Sequence, residues 1–124
     1  MNFITNLLTL QNQMRVFHWQ TQHKVGSFAQ HSAFGTAYED LDAHIDDFIE
    51  IYQGKKGAIM ASGGTFNITL HNLSENAEDF VDEYISYLVE YVPQSLEEVD
   101  TDLLNIRDEM LGILNQTKYR LKMK

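Results

Sequence analysis

The 124-residue chain predicts an all-α fold of four helices, with one long connection between the second and third. Three observations carry this reading. Apolar residues recur at alternating steps of three and four along four separate segments. The single proline, Pro93, falls between the last two of them. Gly54, Gly57, Gly63 and Gly64 gather between the second and the third. With 44% hydrophobic residues, the composition suits a single domain, 1–124, around one core.

The first segment steps through Phe3, Leu7, Leu10, Met14 and Phe17, carries His18 on its flank, and is broken by Gly26. Ser27 and Gln30 form a Ser-x-x-Gln capping box for the second segment. Its stripe is His31, Phe34, Tyr38, Leu41, Ile45, Phe48 and Tyr52, with Gly54 as the natural stop. Residues 54–71 then cross from one helix end to the other. Asn72 and Glu75 offer a second capping box, followed by Ala77, Phe80, Val81, Tyr84, Leu88 and Val89 up to Pro93. Ser95 with Glu98 caps the fourth helix, whose stripe is Val99, Leu103, Ile106, Met110, Ile113, Thr117 and Leu121. Four helices with one long crossover between the second and third have the topology of ferritin-like four-helix bundles.

Composition removes several function classes. Without cysteine there are no disulfides, thiolate metal sites or thiol nucleophiles. No Gly-x-Ser-x-Gly, Gly-x-Gly-x-x-Gly or P-loop pattern occurs. The N-terminus lacks the basic region and unbroken apolar core of a signal peptide, and no apolar run approaches the ~20 residues that span a bilayer. A cytoplasmic protein without a membrane partner is expected. Eighteen acids against nine bases give a net charge of −9, which repels nucleic acid. Lys118, Arg120, Lys122 and Lys124 cluster at the C-terminus, where cations complement the dipole of the last helix, so DNA binding is not expected.

The chemistry-bearing residues are His18, His31, Asp46 and Glu50. Imidazoles and carboxylates are the ligand set for iron, with manganese or zinc as alternatives. Asp46 and Glu50 stand at i and i+4, on one face of the second helix, in a stripe continued by Asp42 and Glu39. Taken singly, each has a plainer role: the acids as a solvated face, His18 as a packed imidazole. His31 takes a core step of its stripe, where an imidazole needs a hydrogen-bond partner or a metal. At 1.5 Å rise per residue, His31 and Asp46 sit about 22 Å apart, too far to share an ion. A site made of all four residues must therefore be built between two chains, by antiparallel pairing of the second helices.

His18-Trp19, Gly26, Phe28-x-x-His31-x-x-Phe34, and an Asp and a Glu 15 and 19 residues after His31 resemble the signature of the Dps-type mini-ferritins. Asp100-Thr101-Asp102-Leu103-Leu104 is similar to the start of that family's fourth helix. The resemblance implies an inter-subunit ferroxidase site. His18 and His31 would come from one chain, Asp46 and Glu50 from its two-fold mate. It also implies Fe(II) oxidation with peroxide or oxygen and iron storage or detoxification in a homo-oligomer, at least a dimer and up to a dodecamer.

Three departures accompany it. Gly35 stands where the family has an acid four residues after the second histidine, which removes a ligand. A mid-helix glycine also costs ~1 kcal/mol relative to alanine, and the stripe offers no packing return for it. The spacing between His18 and His31 is one residue longer, and the chain is shorter around its third helix. His23 could replace the missing ligand; His44, on another face, and His71, in the connection, are assigned no role. Other ferritins and di-iron oxygenases use Glu-x-x-His pairs, and none occurs here. A second reading is a Dps-like bundle that lost efficient ferroxidation and serves as a structural or interaction protein, and Gly35 favours it. A third, a metal-free helical adaptor, would make both histidines packing residues.

Overall fold

The computed structural model describes residues 2–23 and 28–123, the side chain of His23 excepted. Gly26 as a breaker, Ser27 as a cap, His23 as a substitute ligand and the charge of Lys124 lie outside the described residues. Four α-helices carry the fold: α1 (Phe3–Gln20), α2 (Phe28–Lys56), α3 (Ala77–Ser86) and α4 (Thr101–Leu121). No strand occurs among the described residues, and no helix there is long and apolar enough to cross a membrane.

Asn2 starts α1 by accepting the Thr5 N–H on its side chain, 3.2 Å away. The whole predicted stripe Phe3, Leu7, Leu10, Met14 and Phe17 is buried. It packs antiparallel against α2. Phe3 meets Phe48 and Tyr52 edge-on at one end, and Phe17 meets Phe34 at the other. The helix passes through Gly54, which was expected to stop it. Gly57 ends it instead, at φ +94°, a left-handed conformation that glycine adopts without steric cost, with its N–H on the Gln53 carbonyl.

The connection after α2 makes one 3₁₀ turn (Ser62–Gly64) and then runs without turn or bend to Leu73. Fully buried Gln13 of α1 holds it in two directions, donating to the His71 carbonyl at 2.8 Å and accepting the His71 N–H at 2.7 Å. Gln20, two turns further along α1, takes the Leu73 N–H and donates to Asn72 Oδ1. Asn72 is therefore spent on α1 and does not cap α3, which starts after Asn76. Phe80 of α3 packs edge-on against Phe17, at the end of α1 remote from Phe3.

α3 departs most from its predicted stripe. Ala77, Val81, Tyr84 and Leu88 are buried as expected, but Val89 is exposed while Tyr87 and Val92 are buried. Residues Tyr87–Tyr91 form a π turn, with the Val92 N–H bonded to the Tyr87 carbonyl five residues back. Pro93 follows after Val92. A proline ring clashes with the carbonyl four residues before it, so the wider turn gives room and shifts the buried face by one residue. α4 likewise starts later than Ser95. A 3₁₀ turn (Val92–Ser95) and the Asp100 carboxylate, which accepts the Glu97 N–H at 2.8 Å, fold the intervening residues, and Val99 is left exposed. Leu103, Met110, Thr117 and Leu121 are buried as predicted, with Leu114 taking the step expected of Ile113.

Three ion pairs and one hydrogen bond report the directions of the last two helices. Lys55 and Lys56 at the end of α2 reach Asp100 at the start of α4, at 2.7 and 3.0 Å. Lys118 near the end of α4 reaches Asp82 of α3 at 2.6 Å, and Arg107 donates to the Leu88 carbonyl. Thus α4 runs antiparallel to both α2 and α3.

Candidate metal centre

His18 closes α1 and His31 lies in the first turn of α2, and the antiparallel packing of these helices brings them together. Their rings stack with centroids 4.1 Å apart and planes 24° from parallel. His18 Nδ1 lies 2.8 Å from the His31 carbonyl. His31 Nδ1 lies 3.1 Å from the His18 carbonyl and 3.0 Å from Thr21 Oγ1. A carbonyl only accepts, so in the neutral rings both Nδ1 atoms carry the proton and both Nε2 atoms keep the lone pair. Among the described residues neither Nε2 has a hydrogen-bond partner. Imidazoles tied at Nδ1 to backbone carbonyls, with Nε2 free, are oriented as metal-binding histidines are.

Gly35 completes this arrangement, and the expectation that it had no packing return is overturned. A Cβ built there would stand 2.7 Å from His18 Cε1 and 2.8 Å from its Nδ1, closer than real Cβ atoms come. Glycine is what lets the His18 ring lie against α2. Tyr38, one turn on, borders the same ring with centroids 5.5 Å apart, and the Arg15 guanidinium lies over the Tyr38 ring, 5.0 Å from its centre. Thr21, Gly35 and Tyr38 as supports of the histidines were missed from sequence. Only Tyr38 belonged to the periodic stripe, and neither a hydroxyl beyond a helix end nor a contact across helices has a sequence period.

Asp46 and Glu50 lie toward the other end of α2, both exposed. Their proximity shows in the Glu50 acid, which the like charge of Asp46 and then a hydrogen bond with it raise above the usual carboxylate value. A bound cation would relieve that repulsion. Asp46 also lines a cleft of about 310 Å³ between α1 and α2, with Ile4, Leu8, Gln11, Asp42 and Ile49. Gln11 donates to Asp42 at 2.7 Å, which ties that acid within the chain. His44 faces α4, its Nδ1 against the Asp40 carbonyl and its Nε2 3.9 Å from Glu109.

The structure thus pairs the two histidines and pairs the two acids, but does not bring one pair to the other within a chain. Among the described residues no group of three or more His, Asp or Glu is close enough to hold an ion. Trp19 and Phe28, beside the two histidines, are 57% and 81% exposed. A family model described as a family of unknown function, DUF5856, matches residues 18–121. Its span begins at His18 and includes all four candidate ligands. No curated protein and no solved structure matches the chain.

Proposed function

The chain belongs to the DUF5856 family of unknown function, and from its geometry we propose that it is a Dps-like iron-binding protein with a ferroxidase-type site between two subunits. His18 and His31 of one protomer and Asp46 and Glu50 of a second bind Fe(II). The four helices form a ferritin-like bundle, and residues 57–76 are its long crossover. In support of that topology, the connection bonds first to Gln13 and then to Gln20, along α1, before α3 begins beside Phe17.

The observation that carries the metal reading is the histidine pair, with both Nδ1 atoms spent on backbone carbonyls and both Nε2 atoms left as ligands. The paired acids supply the harder oxygen donors and the charge that favours a cation. Iron is the substrate here: two ferrous ions each lose one electron, and one peroxide gains both and leaves as water after taking up protons. The residues bind and orient the ions, and the ligand set leaves positions open for the oxidant.

Gly35 supports the runner-up, a dimeric bundle with weak or no ferroxidation, because the position that would hold a further acid is occupied by the His18 ring. Anaerobic Fe(II) titration with elemental analysis per chain tests the proposal. His31→Ala, Asp46→Ala and Glu50→Ala should each weaken binding at least about tenfold, and His44→Ala should bind like the parent. Equal binding by all four variants would reduce the acids to a solvated face.

A further inference from the structure

Between Lys56 and Glu75 lie eighteen residues, 57–74, without one Asp, Glu, Lys or Arg, in a chain that is 22% charged. Within them Thr65 enters the β region at φ −135°, ψ 130°, straight after the left-handed Gly63 and Gly64. Phe66, Ile68 and Leu70 alternate with Thr65, Asn67 and Thr69, a period of two that suits a strand and no helix. All six residues are exposed, and none makes a hydrogen bond among the described residues. The segment is also fixed in place, by the Gln13 clamp on His71 at one end and the 3₁₀ turn at the other. An anchored, uncharged, extended segment with free N–H and C=O groups is a template for strand addition.

We infer that residues 65–71 are an interface for a second copy of this chain, the two segments pairing as antiparallel strands about a two-fold axis through Ile68. The sequence is self-complementary in that register. Phe66 stands opposite Leu70, Ile68 opposite Ile68, Asn67 opposite Thr69 and Thr65 opposite His71, so apolar meets apolar and polar meets polar at every step. Charge favours the same occupant. Two molecules of net charge −9 repel, and this is the stretch where they meet without an acid on either side. The inference does not depend on the metal site.

Ile68→Lys and Ile68→Glu test it, because each places like charges opposite one another on the two-fold, and an equimolar mixture places opposite charges there. Ile68 is exposed, so both variants should fold, which a circular-dichroism melt checks. By sedimentation each variant alone should raise the dimer dissociation constant at least about tenfold, and the mixture should return to within a few-fold of the parent. The His71 N–H already faces Gln13 of α1, so the alternate amides 66, 68 and 70 face the partner, and in the parent these should gain exchange protection as concentration rises. Association unchanged in both single variants, or a mixture as weak as either, would overturn the inference. Iron bound per chain, read on the same samples, separates failure of the metal site from failure of the strand pair.

Discussion

A methyl group at Gly35 would press on His18, and one at Gly112 would meet nothing within 4 Å. The same substitution therefore has two outcomes in two helices. Gly112→Ala should stabilise the fold by about 1 kcal/mol, the helix-propensity gain alone. Gly35→Ala should show none of that gain, since displacing His18 breaks its bond to the His31 carbonyl, and it should weaken iron binding as well. Gly35→Asp, which sequence reasoning offers as a restored ligand, should weaken binding too. Urea denaturation of the three variants beside the parent, with iron titration, checks the set. A Gly35→Ala protein as stabilised as Gly112→Ala, with parental iron affinity, would remove the glycine from the site. His18, His31, Asp46 and Glu50 could be named from residue type and spacing. Thr21, Gly35 and Tyr38 could not, because what they do depends on which side chain crosses to them from another helix.

Helix boundaries were less legible than helix cores, for reasons that recur at each end. The stripe of α1 follows from local periodicity and is buried whole; that of α2 is buried at Phe34, Leu41, Ile45 and Phe48, while His31, Tyr38 and Tyr52 stay half-buried and Ala33, Gly35 and Ala37 are buried beside it. Gly54, Asn72 and Ser95 have the right residue types for a stop or a cap. Each lost that role for a reason elsewhere: Gly57 with its positive φ ends α2, Gln20 takes the Asn72 side chain, and Ser95 falls in a 3₁₀ turn while the Asp100 carboxylate holds the Glu97 N–H ahead of α4. Asp100 makes the point testable. Lys55 beside it first, then the Glu97 N–H and Lys56, hold its carboxyl far below the usual carboxylate range. A depressed native value adds stability that is fully present above the unfolded value of about 4 and is lost as pH falls from there through the native value. Asp100→Asn should consequently lower the melting temperature at pH 7, and its deficit against the parent should shrink steadily below pH 4. A deficit that stays constant down to pH 2 would mean that Asp100 acts by shape and not by charge.

At the scale of the whole molecule, charge and symmetry decide what the chain can meet. Lys118, the first of the C-terminal bases, is held by Asp82, and Arg120 belongs to α4, so these two do not form a free basic arm. With a net charge of −9 the protein should not retard DNA at physiological salt. A shifted band that disappears when Lys118, Arg120, Lys122 and Lys124 are neutralised would show otherwise. The separation of the histidine pair from the acid pair along α2 was legible in the sequence as a count of residues, and it is what makes a two-chain site the central claim.

Mixing two defective proteins tests that claim most directly. One carries His18→Ala with His31→Ala, the other Asp46→Ala with Glu50→Ala, and neither should bind iron alone. Unfolded together and refolded, they should form mixed dimers in which the intact histidines of one chain face the intact acids of the other. Statistical pairing should then restore about a quarter of the parental iron per chain, because half the dimers are mixed and each of those holds one complete site of two. A mixture that binds no more iron than its separate components, although mixed dimers have formed, would contradict a site shared between chains.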